Sequence, residues 1–158
     1  MKSLSVSFFG HRNIVGFSRV GELVEETIER LLRQNEFIEF LVGREGDFDQ
    51  IVSSAIIKAK RDYGADSISH TLVLPYMKAD YKNNIATFET YYDEIELCEQ
   101  SASAYPKAAI QIRNHYLVDR SDFCVFYVEH REGGAWQTMR YAVKQEKRIL
   151  NLAERELI

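Results

Sequence analysis

Two adjacent glycines, Gly133-Gly134, follow the apolar run Phe123 to Val128 after the polar stretch Glu129 to Glu132 and open a segment with helical spacing. A glycine pair between a strand and a helix leaves backbone amides uncovered at the positive end of the helix, where phosphate or another anion is stabilised. Gln137 and Thr138 follow within the first turn and add amide and hydroxyl groups. Three further clusters offer matching chemistry: Gly10-His11-Arg12, Gly43-Arg44 with Asp49 shortly after, and Arg113-Asn114. Glycine admits a ligand to the backbone, and a guanidinium grips phosphate through paired hydrogen bonds. A nucleotide-like ligand is the leading reading of these residues.

The elements that must position them follow from hydropathy. Leu4 to Phe9 reads as a strand stopped at Gly10, and Val20, Leu23, Val24, Ile28, Leu31 and Leu32 recur at the spacing of one helix face. Phe37 to Val42 predicts a second strand, and Phe48, Ile51, Val52, Ile56 and Ala59 a second helix. Thr71 to Leu74 predicts a third strand, stopped by Pro75. Between Tyr76 and Tyr105 the pattern weakens into a tyrosine-rich, acidic excursion over one sheet edge, with a short helix and an extended piece near Ile95. A helix from about Lys107 to Asp119, a strand from Phe123 to Val128, a helix from about Gly134 to Gln145 and a strand from Arg148 to Leu152 complete the chain. Strands alternating with helices predict a Rossmann-like three-layer α/β/α sandwich with a mostly parallel sheet, one domain over residues 1–158. In such sheets ligands collect at the carboxyl ends of the strands, where all four clusters fall.

Composition removes several classes. A chain of 158 residues, 46% hydrophobic, builds one substantial core. Its net charge of -4 gives no broad attraction to a nucleic-acid backbone. No basic leader opens the chain and no apolar run approaches the roughly 20 residues of a membrane span, so a cytoplasmic protein with no membrane partner is expected. Cys98 and Cys124 have no metal-type spacing, His11, His70, His115 and His130 form no ligand pattern, and no metal or cofactor is expected. Both thiols are expected to be free. No GxGxxG or GxxxxGK[ST] fingerprint is present, so a P-loop triphosphatase is not expected.

Each candidate also has a structural reading. Gly10 and Gly43 serve as turn glycines, Arg12 pairs with a surface carboxylate, and Asp49 stabilises the helix that it opens. Arg113 and Asn114 hold neighbouring loops, His11 is a loop hydrogen-bond partner, and Trp136 packs in the core or an interface.

Phe8-Phe9-Gly10-His11-Arg12, Val42-Gly43 through Gly46-Asp47-Phe48-Asp49, Arg113-Asn114 to Asp122, Gly133-Gly134-Ala135-Trp136-Gln137-Thr138 and Ile149-Leu150-Asn151-Leu152 together resemble the SLOG superfamily, which joins Smf/DprA DNA-processing proteins with LOG phosphoribohydrolases. The likeness is nearest to small stand-alone bacterial members of the YpsA type and runs nearly end to end. It implies a Rossmann-like domain that binds a nucleotide-derived ligand at the strand ends as a sensor, with no catalysis required. The expected contacts are Gly133, Gly134 and Thr138 to phosphate and Arg12 with Arg113 for charge. Asp49 and Asn114 are expected to orient loops or a ribose, with His11 a secondary contact and Gly10, Gly43, Arg44 and Gln137 completing the site.

The LOG branch implies an alternative, cleavage of an N-glycosidic bond in a nucleoside monophosphate, through a motif resembling PGGxGTxxE. Here Glu132 replaces the proline, Thr138 is displaced, and Met139, Arg140 and Tyr141 follow with no glutamate, although Glu45 or Glu129 supplies a carboxylate from another loop. The DprA branch implies single-stranded DNA, which needs a basic groove. Tyr76, Tyr81, Tyr91 and Tyr92 provide aromatic platforms, but Asp80, Glu89, Asp93, Glu94 and Glu96 surround them with negative charge, so nucleic acid is not expected. A third reading is an interaction module in which the tyrosine-rich segment forms a homodimer surface.

Overall fold

The computed structural model describes residues 3–157, with side chains as far as residue 154. The chain runs β1 (Ser3–Gly10), α1 (Phe17–Gln34), β2 (Phe37–Val42), α2 (Asp47–Tyr63), β3 (Ile68–Leu74), α3 (Ala79–Lys82) and α4 (Ile85–Tyr91). It continues through β4 (Glu94–Leu97), α5 (Pro106–Arg120), β5 (Phe123–Tyr127), α6 (Gly134–Lys144), β6 (Arg148–Asn151) and α7 (Leu152–Leu157). The six strands form one sheet in the order β4-β3-β2-β1-β5-β6. Every pairing is parallel.

Strand periodicity divides the side chains between two cores. On β1, Val6 and Phe8 enter the core beneath α1 and α2, whereas Phe9 enters the one beneath α5 and α6. On β5, Phe123, Val125 and Tyr127 join the first core, and Cys124 and Phe126 the second. Both faces of the sheet are therefore covered, which is why the strand segments read as continuous apolar runs. Both cysteines are free and buried.

The winding creates one reversal. From β1 the chain leaves towards β2, and from β5 it leaves towards β6 on the opposite side. These two strands are neighbours, with Gly10 in register with Tyr127. Their loops diverge from that seam and open a crevice at the carboxyl ends of the strands.

The segment after Pro75 resolves into α3, α4 and the edge strand β4, and it packs inwards through Phe88 and Tyr92. The third strand begins at Ile68, earlier than its apolar run, because Ser69 and His70 interrupt the pattern. His70 is buried on β3, and its Nε2 lies 2.9 Å from Ser53 Oγ on α2. The helix α7, absent from the sequence reading, follows β6 without a loop. Among the described residues no helix is long and apolar enough to cross a membrane.

Burial holds His70 neutral, down at about 4. The unfolded chain takes up that proton near the ordinary value of about 6.5, so the folded state binds fewer protons between these limits. Stability is therefore complete above pH 6.5 and declines as pH falls towards 4. In urea titrations at pH 7 and pH 4, the parent should lose about 3 kcal/mol more than His70→Gln, whose amide keeps a partner for Ser53. Equal losses would assign the acid sensitivity to other groups.

Candidate functional site

A cavity of about 1260 Å³ occupies the crevice, built from the ends of β1 and β2, the first turns of α2 and α5, and the loop into α6. Parallel winding dictates this convergence, since every helix that follows a strand starts at the carboxyl edge of the sheet. The amides of Gly134, Ala135 and Trp136 precede the hydrogen-bond ladder of α6, whose first bond runs from Gln137 N–H to the Gly133 carbonyl at 3.1 Å. No side chain caps this end. Gly133 has φ +92°, a conformation that favours glycine, and a Cβ on it would meet nothing within 4 Å. At Gly134 the nearest atom would be Gln111 Oε1 at 3.7 Å. Gly133, Gly134 and Ala135 line the cavity. Across from them, α5 begins with Pro106, which has no N–H, and its ladder starts only at Ala109 N–H to the Tyr105 carbonyl, 2.7 Å.

The predicted residues divide into three groups. Gly10, His11, Arg12, Gly43, Asp49, Arg113, Asn114, Gly133, Gly134 and Gln137 all line the cavity. Arg12 is exposed on its wall, with no carboxylate in ion-pair distance among the described residues. Arg44 lies outside it, because its guanidinium turns towards α4, 4.5 Å from the Phe88 ring centre and 3.1 Å from Tyr92 Oη. Thr138 is buried behind the glycine pair. Its hydroxyl donates to the Gly134 carbonyl at 2.8 Å and accepts from Asn114 Nδ2 and Gln111 Nε2, each at 3.3 Å, so it joins α5 to α6 instead of facing the cavity.

Arg113 also differs from expectation in how it is used. It is only 3% exposed, and all three of its nitrogens are engaged: Nε with Asn114 Oδ1 at 3.0 Å, Nη1 with the Val73 carbonyl at 2.6 Å and Nη2 with Glu45 Oε1. Lys78 reaches the second Glu45 oxygen at 3.1 Å. Burial opposes charge on Glu45, but Arg113 and Lys78 outweigh it and hold the carboxyl at about 2. Asp49 accepts the Glu45 N–H at 2.9 Å. Burial, reinforced by the Glu45 carboxylate, pushes Asp49 up to about 6.

His11 serves the loops. Its Nε2 accepts the Glu129 N–H at 2.9 Å, which ties the end of β1 to the segment after β5, and its ring stacks on His130 with centres 4.0 Å apart. Burial, then the neighbouring His130, lowers its pKa and keeps that nitrogen free to accept. From the edge of the sheet, Asn151 fixes the same segment through both Val128 backbone groups at 3.0 Å. Sequence gave no role to Asn151, nor to Tyr105, Lys107, Gln111 and His130, all four of which line the cavity. Only the position of Lys107 in the first turn of a predicted helix signalled it.

Among the described residues no group of histidine, cysteine, aspartate and glutamate could hold a metal ion.

No family model and no curated protein matches the chain. Solved structures share its fold. DNA processing protein A from Helicobacter pylori, described for its single-stranded DNA binding mode, superposes with a TM-score of 0.61 at 15% identity over 92% of this chain and 63% of that one. DNA processing protein A from Streptococcus pneumoniae gives a TM-score of 0.67 at 12% identity over 92% of this chain and 49% of that one. This chain thus spans less than two thirds of either. The likeness is one of fold, and it is the fold that the SLOG resemblance implies.

The glycines should separate by substitution. A Cβ on Gly10 would lie 2.3 Å from the Phe48 ring, so Gly10→Ala should cost about 1–3 kcal/mol of stability through overpacking. Gly134→Ala, at the first position of α6 with open space around it, should change stability by less than about 0.5 kcal/mol. Thermal and urea unfolding of both variants check this, and an equal cost at the two positions would contradict the geometry.

Proposed function

We propose that the crevice binds a phosphate-bearing, nucleotide-derived ligand and that the protein works as a binding module, with no reaction required. The observation that carries this reading is the uncapped start of α6, where Gly133, Gly134 and Ala135 line the cavity beside the seam at which the sheet reverses. Phosphate at that position is stabilised by the amides and the helix dipole together. Arg12 and Lys107, both exposed on the cavity wall, supply the positive charge. Arg113 acts one layer deeper, as the counter-ion that holds Glu45 and the β2–α2 loop in place. Asp49, kept largely neutral below pH 6, and Asn114 border the space left for a sugar.

A single strand of DNA is the second reading, favoured by the printed description of the Helicobacter pylori protein. Electrostatics support it less. A strand needs cations along its exit path as well as at one phosphate, and Glu129, Arg131 and Glu132 alternate in sign beside the glycine pair on a chain of net charge -4.

Binding should raise the thermal midpoint in the presence of nucleotides, and chromatography afterwards should return the ligand intact. Gly134→Asp places a carboxylate where the phosphate sits and should abolish the shift while unfolding stays cooperative. Arg12→Ala should weaken binding by about 1.5–3 kcal/mol, the value of a charge-assisted contact. Unchanged affinity in Gly134→Asp would remove the phosphate from α6. A released base would assign a hydrolase, and tighter binding of an oligodeoxynucleotide than of any nucleotide would establish the second reading.

A further inference from the structure

A second cavity, of about 550 Å³, lies on the other side of the β2–α2 loop. It shares Gly43, Gly46 and Asp49 with the main crevice, so the partition between the two spaces is one stretch of chain that includes two residues without side chains. Neither glycine can acquire a side chain cheaply: a Cβ on Gly43 would meet Glu45 Oε1 at 2.7 Å, and one on Gly46 would meet the Arg12 backbone at 2.6 Å. The thinness of this partition is thus fixed by packing on the crevice side.

The lining of the second cavity differs in kind from that of the first. Tyr91 of α4 presents aromatic surface, Phe88 lies buried beneath the Arg44 guanidinium, and Gln50 and Thr87 present exposed amide and hydroxyl groups. The Arg44 guanidinium sits over Phe88, its carbon 4.5 Å from the ring centre, while Asp80 meets its Nε at 3.4 Å. The one cation is therefore already balanced by a carboxylate, and Asp47 adds a further negative group. A second phosphate would find little here. A planar ring with edge donors and acceptors would find the exposed Tyr91 ring to stack on, hydrogen-bonding partners and a volume within the range of small-molecule sites.

We infer that this cavity is a subsite for a nucleobase carried at the far end of a ligand whose phosphate lies at α6, which makes the ligand dinucleotide-like instead of a mononucleotide. The inference rests on the anion-cleft reading and deepens it. It also gives the tyrosine-rich segment a purpose: α4 forms the outer wall of the subsite, tied to the β2–α2 loop by Arg44 to Tyr92 and by Lys78 to Glu45.

The test compares AMP with diadenosine diphosphate, and GMP with diguanosine diphosphate, by calorimetry on the full chain and on two filling variants. Thr87→Trp fills the cavity from α4 and Gln50→Trp fills it from α2, and neither residue borders the main crevice. For at least one base the parent should bind the dinucleotide roughly tenfold more tightly than the mononucleotide, in line with the worth of one stacked base. Each folded variant should lose that advantage and keep the parent's affinity for the mononucleotide. Equal affinities for the two ligand sizes in the parent, or an advantage that survives both variants, overturns the subsite while leaving the crevice reading intact. If neither size binds, the crevice reading itself fails and the subsite with it.

Discussion

A guanidinium withdrawn from solvent holds together the end of the sheet where the crevice lies. Arg113 reaches from α5 to the Val73 carbonyl at the top of β3 and to Glu45 on the loop after β2, so one side chain spans three elements that are distant in sequence. Removing one partner from such a pair leaves a buried charge uncompensated, which costs several kcal/mol and far exceeds the worth of an exposed ion pair. The geometry of the β2–α2 loop follows from this anchor. With Glu45 fixed, its N–H meets Asp49, Lys78 is drawn in from the β3 side, and Gly43 is pressed so close that no side chain fits.

That anchor also sets the charge of the crevice. An arginine fully engaged with Glu45 contributes no net charge to an incoming anion, so the positive field must come from elsewhere. In the proposed reading the start of α6 supplies it, together with Arg12 and Lys107, neither of which has a carboxylate in ion-pair distance among the described residues. A cavity lined by two ionised carboxylates would repel phosphate. Here Glu45 is neutralised by Arg113 and Lys78, the Asp49 carboxyl is pushed up to about 6 and sheds its charge only below that pH, and Glu132 adds a third carboxyl group to the wall.

Much of this was legible in the sequence. The strands from Phe37 to Val42 and from Phe123 onwards are buried on both faces, so their apolar runs marked them directly, and β2 falls on the expected residues. Loops at the strand ends could be named from the winding rule alone, which brought most of the chosen residues to one cavity. The remainder escaped for identifiable reasons. Whether an arginine meets a ligand or a carboxylate depends on which way it turns, and Arg44 and Arg113 both turn to protein partners. Thr138 occupies a helix, where a hydroxyl readily bonds the carbonyl four residues back, as it does with Gly134. The start of β3 was hidden because His70 is polar yet buried, its ring satisfied at Nε2 by Ser53 from another element. The helix α7 had no apolar spacing of useful length to announce it.

The glycines illustrate how far a single residue type can be read. Gly10 ends β1 and Gly133 stands at the start of α6, and both border the crevice. Packing separates them. The space beside Gly10 is filled by Phe48, a core residue, and its missing side chain serves the approach of α2 to β1. The space beside Gly133 is empty, and its positive φ turns the chain into α6, whose start no side chain caps. A glycine required by a neighbour explains the fold and says nothing of a ligand. At Gly133 the φ of +92° accounts for glycine by itself, so the weight of the functional reading rests on the uncapped start of α6 at the cavity.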